Sequence, residues 1–115
     1  MADAEQIVAV ALRALEFTVY PDEAPVGAPF PYIVYQAVGG QDVTDLDNDP
    51  DTLQNQRVQL AVWSKSKAES IRMMQDARRA LMGAGAKPLG APVSVYETDE
   101  HVFGRRLDFS IWYQE

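Results

Sequence analysis

The chain has 115 residues, 47% of them hydrophobic, no cysteine, and a formal net charge of −7 from 17 acidic and 10 basic residues. Its length indicates one globular domain, residues 1–115, and the missing cysteine excludes disulfide scaffolds, thiolate metal sites and cysteine nucleophiles. The acidic balance disfavours nucleic acid and anionic membranes as partners, because proteins bind both through clusters of Lys and Arg. No apolar run approaches the ~18 residues of a membrane span, so we expect a cytoplasmic protein.

The first third of the chain predicts one helix and two strands. A capping-box pattern opens a run of apolar residues at helical spacing, so a helix is expected over 3–16. Thr18–Tyr20 is a short strand candidate. Four prolines between 21 and 31 remove amide donors and predict a stiff loop. Tyr32–Val38 is rich in β-branched and aromatic residues and ends at a glycine pair, which is typical of a strand stopped by a turn.

The middle of the chain combines an acidic run with the two clearest periodic patterns. Residues 42–51 hold five aspartates and no basic residue, so they carry −5 of the net charge and predict a solvated, mobile loop. Leu53–Trp63 alternates between apolar and polar residues, which predicts a strand. Ser66, with Glu69 three residues later as a second capping-box pattern, begins a helical pattern that stops at Gly83, so a second helix is expected over 66–82.

The last third predicts a loop and a hairpin. The loop spans Gly83–Gly90, and the hairpin consists of a strand over Val93–Glu97, a turn over Thr98–His101 and a long alternating strand over Val102–Tyr113. The order α-β-β-β-α-β-β predicts an α+β fold, a single mixed or antiparallel sheet with both helices packed on one face. We expect one core between sheet and helices, made of Val58, Leu60, Val62, Ile71, Leu81, Leu107, Phe109 and Ile111.

Signatures of catalysis and of metal binding are weak. The single histidine, His101, lies in a turn without a partner at ligand or triad spacing, which indicates a solvent-exposed side chain. Three aspartates of the acidic run copy the first ligand positions of an EF-hand, but Pro50 and Gln56 stand where that loop needs a glycine and a closing glutamate. We therefore expect no metal and no cofactor. An enzyme would have to use scattered carboxylates: Glu97, Asp99, Glu100 and Asp108.

The strand pattern also predicts what lies on the sheet face turned away from the helices. Two tryptophans and two arginines share that face, and aromatic residues beside arginine are typical of protein interfaces. The alternative is that each indole only covers the end of its own strand. The candidate interface residues are Arg57, Trp63, Arg106 and Trp112, together with four aspartates of the acidic run, Asp45, Asp47, Asp49 and Asp51.

Three stretches carry a resemblance to a known family: PYIVYQAVGG, RVQLAVWSKSKAESIRMMQDARRAL and VFGRRLDFSIWYQ. Over roughly Phe30–Tyr113 the chain resembles the small phage and prophage tail-completion proteins. The resemblance implies a structural protein without catalysis that forms a ring, expected to be a homohexamer, at the head-proximal end of a tail. Its partners would be further copies of itself, the tail tube and the neck or connector proteins, and it would pass from the host cytoplasm into the virion tail.

Several functions remain open at this stage. Both a tail-terminator and a head-to-tail joining role fit the resemblance, and an acidic lumen would let DNA pass without sticking. A small α+β hydrolase or ligand-binding enzyme is the alternative, and it would need a deep cleft lined by at least two of the scattered carboxylates. A β-edge module that binds one peptide partner is a third.

Overall fold

A computed structural model of the chain describes residues 3–41 and 53–114. It confirms the predicted α+β fold and the predicted order of elements, and it adds one two-residue strand inside the expected loop 83–90. None of the helices in the described ranges is long and apolar enough to cross a membrane. The elements are α1 (Ala4–Leu12), β1 (Thr18–Pro21), β2 (Tyr32–Ala37), β3 (Gln54–Ser64), α2 (Lys67–Gly83), β4 (Lys87–Pro88), β5 (Val93–Glu97) and β6 (Val102–Tyr113).

The strands form one mixed sheet in the order β1-β2-β3-β6, and β4 and β5 both pair with β6. Only β1 and β2 run parallel, while the other described pairs are antiparallel. The long β3–β6 ladder sets Val58 opposite Phe109 and Leu60 opposite Leu107. Because successive side chains point to opposite faces, this register brings the apolar residues of both central strands to the face that the helices cover.

The core lies between this face and both helices. The predicted strand residues are all buried, and Phe109 and Leu60 are fully so. On α2 the prediction for Ile71 is wrong, because that residue is only half-buried and Met73 is buried in its place. The buried stripe of α2 runs through Ser70, and this serine tolerates burial because its hydroxyl donates to the Lys67 carbonyl oxygen at 2.7 Å.

The two helix starts follow the predicted patterns to different degrees. Asp3 and Gln6 form a complete capping box, in which each backbone N–H donates to the other side chain, at 2.8 and 2.9 Å. At α2 the Ser66 hydroxyl accepts from the Glu69 N–H, but the Glu69 carboxylate accepts from the Ser64 hydroxyl instead of returning to Ser66. The second capping box is therefore only half formed.

Helix α1 is shorter than the expected 3–16. After Leu12 the chain closes two tight turns, with Arg13 N–H donating to Val10 and Leu15 N–H donating to Leu12. These turns redirect the chain so that Phe17 packs against the core at the edge of the sheet. Burial of the apolar residues that follow the helix thus decides where the helix ends.

Candidate functional site

A cleft of about 440 Å³ lies on the sheet face that the helices leave open. We call this face the open face and the depression the acidic cleft. The apolar part of the floor comes from three neighbouring strands: Tyr32 and Val34 on β2, Ala61 and Trp63 on β3, and Val102 on β6, and the cross-strand pair Gln36 and Gln59 adds a polar end. These residues share the face because they alternate with the core residues along each strand.

Two acidic rims border this floor. Asp22 and Glu23, directly after β1, form one rim, and Glu97, Asp99 and Glu100, at the β5–β6 turn, form the other. All five carboxylate residues are exposed, and the described lining contains no lysine and no arginine. Lys65 stands beside the second rim and donates to the Glu100 carbonyl oxygen, but within the described residues it forms no ion pair with these carboxylates. Such a group of carboxylates around an apolar floor favours a positively charged occupant.

The indole of Trp63 lies flat against Gly104 of the neighbouring strand. A Cβ atom placed on Gly104 would stand 2.6 Å from Cζ3 and 2.7 Å from Cε3 of Trp63, so only glycine leaves room for the ring. Trp63 is partly buried there and forms part of the cleft floor. Gly104 therefore allows the Trp63 ring to lie directly on the backbone of β6, where the ring forms part of the cleft floor.

Aromatic side chains continue the floor toward the first rim. The Tyr32 ring meets Tyr20 edge to face at a centroid distance of 5.7 Å and stacks on Phe30 at 5.0 Å. Burial raises the pKa of the Tyr32 hydroxyl, and the nearby charge of Glu100 raises it further. Lys65 places its Nζ 5.1 Å from the Phe30 ring centroid and donates to the Glu100 carbonyl oxygen at 3.1 Å, which ties the β5–β6 turn to this aromatic group.

The predicted interface residues lie on the same face but do not form one cluster. Arg57 donates to the Asp108 carboxylate from Nη2 at 2.6 Å and from Nε at 2.7 Å, so both charges are satisfied within the chain. Arg106 is exposed opposite Ala61. The four candidate aspartates of the acidic run lie outside the described residues.

The two tryptophans occupy opposite ends of the open face. Trp63 stands opposite Gly104, whereas Trp112 stands opposite Asn55, which precedes Trp63 on β3 by eight residues. At a rise of ~3.3 Å per residue this places them roughly 26 Å apart. Trp112 is 46% exposed, so only Trp63 is covered by its neighbours to a substantial degree.

An enzyme would need a deep cleft lined by at least two of the scattered carboxylates, and the acidic cleft meets the part of this requirement that concerns its lining. Three of the four scattered carboxylates line it, namely Glu97, Asp99 and Glu100, while Asp108 is paired with Arg57 outside it. No three acidic, histidine or cysteine side chains within the described ranges converge closely enough to hold a metal ion. The described lining offers no serine, threonine, histidine or lysine to act beside these carboxylates. The carboxylates of the lining attract positively charged groups.

His101 is exposed, as predicted, but it has a partner. Its Nδ1 lies 3.0 Å from the Tyr96 hydroxyl, across the β5–β6 hairpin. Neither residue lines the acidic cleft. The contact therefore belongs to the hairpin turn.

Sequence reasoning placed Trp63 on this face but missed the first rim and Tyr32. Asp22, Glu23 and Tyr32 reach the cleft because β1 pairs in parallel with β2, with Thr18 opposite Tyr32. An acidic pair directly after a strand candidate was the available signal. It identifies a charged strand end, but the partner across the sheet depends on the strand order.

Comparison with known protein families identifies the family of this chain. A family model described as Tail completion protein gp17 matches residues 3–114. The match includes α1, which precedes the region where the sequence resemblance was seen. No curated protein matches the chain.

Proposed function

The chain belongs to the family of tail completion proteins, and we propose that it completes a phage tail by forming a ring of identical copies at the head-proximal end of the tail tube. Family membership supports a structural role in the virion tail. The ring, its hexameric stoichiometry and its contacts with the tube and with neck or connector proteins are parts of the proposal. The proposal also includes that the protein assembles from the host cytoplasm and that it acts without catalysis.

The open face is the observation that carries this proposal. It presents an apolar floor between acidic rims at one end and a half-exposed Trp112 at the other. Single exposed apolar side chains are ordinary, but an apolar floor and an exposed tryptophan on one face give an assembling subunit a surface to bury against its neighbours. Each copy in a ring contacts its two neighbours through two different, complementary surfaces, and the open face would be one of them.

The net charge of −7 fits an ordered assembly. Like charges oppose association of free copies in dilute solution, so rings are expected at high concentration or on a finished tube. A negative ring lumen also repels the phosphates of passing DNA. Sedimentation over a range of protein concentrations tests the first point, and a tight dimer that is independent of salt would contradict it.

A phage that lacks the protein provides the direct test. We expect purified tails that lack it to fail in joining heads, and added protein to restore joining and to appear as a ring in negative-stain images. Trp112→Ala should leave the free energy of unfolding within about 1 kcal/mol of the wild type but impair completion. Val10→Ala is the matched control, because Val10 is also exposed, at 57%, but lies on α1. Equal activity of both variants would argue against the open face.

The three carboxylates in the cleft favour one second candidate, a small hydrolase or ligand-binding enzyme. Stoichiometry separates the two functions. A structural ring remains in purified tails in a fixed number of copies, whereas an enzyme acts in small amounts and is absent from the finished particle. Quantitative mass spectrometry of purified tails therefore decides between them.

A further inference from the structure

The acidic cleft requires an occupant that is both basic and able to cover an apolar floor. Five exposed carboxylates on two rims face no lysine or arginine in the described lining. Between the rims, Trp63 and Tyr32 offer flat apolar surface. Arginine side chains fit such a surface, because their aliphatic stems and planar guanidinium groups pack on aromatic rings while the charge reaches the carboxylates.

The same chain carries a surface of this kind on α2. Four of its ten basic residues lie on this 17-residue helix and are exposed: Lys67, Arg72, Arg78 and Arg79. Within the described residues none of the four forms an ion pair. Of the two acidic residues on α2, Glu69 is engaged by the Ser64 hydroxyl, which leaves Asp76 as the exposed one. The exposed side of α2 is therefore net positive.

The outward ridge of α2 places its arginines at a useful spacing. Arg72, Gln75 and Arg79 are exposed and follow one another at intervals of three and four residues, so they lie along one side of the helix. A helix with its side chains is about 10–12 Å wide. The floor runs between β1 and β5 across four strand spacings of ~4.8 Å, or roughly 19 Å, which accommodates one helix between the rims.

From this complementarity we infer that the acidic cleft of one copy receives the outward, basic side of α2 from a second copy. The inference rests on the proposed ring and names the two surfaces that build it. Within one copy the two surfaces lie on opposite faces of the sheet, so α2 cannot fill its own cleft. The contact is consequently head to tail, which is the type of contact that closes into a ring when the rotation between copies allows it.

Cross-linking tests the pairing of the surfaces directly, because the natural chain has no cysteine. Thr98→Cys marks the second rim and Gln75→Cys marks the ridge of α2, and both positions are exposed. When the two single variants are mixed at high concentration with a short bismaleimide, we expect a cross-linked pair that contains one of each. Thr98→Cys mixed with Val10→Cys is the control and should give little product. Equal yields from both mixtures would overturn the inference.

Charge reversal tests the electrostatic part. Glu100→Lys should weaken self-association roughly tenfold, whereas Glu16→Lys, an equally exposed reversal outside the cleft, should have little effect. The sharper arm uses two double variants, Glu97→Lys/Glu100→Lys and Arg72→Glu/Arg79→Glu. Each alone should fail to associate, and a one-to-one mixture should associate again. In the mixture the reversed second rim, net positive with Asp99 as its one remaining carboxylate, meets the reversed ridge of α2, and the unchanged acidic rim meets the unchanged basic ridge.

The outcomes separate this inference from the proposed function. If wild-type rings complete tails and the double variants do so equally well, the cleft–helix contact is wrong and the function stands. If Glu97→Lys/Glu100→Lys blocks completion but the mixture does not restore association, the cleft binds a basic segment of another tail protein and the second copy is excluded as its occupant. If the wild-type chain neither associates at high concentration nor completes tails, the proposed function fails and the inference fails with it.

Discussion

Gly104→Ala is expected to destabilise the protein, although alanine is normally the better residue in a strand. The added Cβ would lie 2.6, 2.7 and 3.0 Å from three atoms of the Trp63 ring. Carbon atoms pack best at about 3.5–4.0 Å, so the indole would have to retreat by roughly 1 Å. Overpacking of this kind costs about 1–3 kcal/mol, whereas replacing glycine gains at most about 1 kcal/mol from the unfolded chain. We therefore expect a net loss of about 1–2 kcal/mol.

A double-mutant cycle makes this prediction specific to Trp63. In a Trp63→Ala background the clash is absent, so Gly104→Ala should become neutral or stabilise by up to about 1 kcal/mol. Urea unfolding followed by far-UV circular dichroism measures all four proteins without depending on tryptophan fluorescence. If Gly104→Ala cost the same with and without Trp63, contact between the two residues could not be the reason for the glycine.

Three further predictions concern the core, the tyrosines and the acidic run. Phe109→Ala removes a fully buried ring and should cost about 3–5 kcal/mol in urea unfolding, and a loss below ~1 kcal/mol would mean that the faces of β6 are misassigned. Burial, the largest cause, and nearby carboxylates raise the pKa of Tyr32 and Tyr35 above the ordinary 10.0. As the pH rises, the unfolded chain therefore loses these two protons before the folded chain does. The free energy of unfolding consequently falls as the pH rises through 10.0 and beyond. Tyr32→Phe/Tyr35→Phe should reduce the fall in melting temperature between about pH 9 and 11, and an unchanged slope would contradict the shifts. Replacing the four candidate aspartates of the acidic run with asparagine should leave the melting temperature nearly unchanged or raise it slightly. If sub-millimolar Ca²⁺ raised the melting temperature of the wild type by several degrees, the acidic run would instead be a metal site.

The alternating strands made most of the core predictable. In β3 and β6 one face is continuously apolar, so Val58 and Phe109 could be assigned to the core from period-two spacing alone. On α2 the pattern was ambiguous, because Ile71 and Met73 are both apolar and only the contact with the sheet decides which one is buried. Leu81 was assigned correctly, so the phase of the helix was right, and Ile71 lies at the edge of the buried stripe.

The acidic cleft was less predictable because it depends on pairings between distant parts of the chain. Trp63 of the floor and Gly104, on which it packs, are 41 residues apart and meet only through the register of β3 and β6. The rims are separated further, since Asp22 lies before the acidic run and Glu97 lies after α2. Sequence spacing reveals strands and their faces, but the strand order that joins these rims follows from the packing of the whole domain.

Folding and assembly depend on different residues of the open face, and this decides which variants are informative. The rim carboxylates are exposed, so reversing Glu97 or Glu100 changes the charge of the cleft without removing buried contacts. Glu97 ends β5, and its reversal removes only an exposed hydrogen bond that its carboxylate accepts from the Asp99 N–H at 3.3 Å. Trp63 is different, because it forms the floor and also packs on Gly104, so its loss alters stability and binding together. A defect in Trp63→Ala therefore cannot be assigned to assembly, whereas a defect in Glu97→Lys/Glu100→Lys with an unchanged melting temperature can. If mixing this variant with Arg72→Glu/Arg79→Glu restores association, the contact that the variant lost lies between subunits. A change in the fold of one copy would not be repaired by mixing it with another copy.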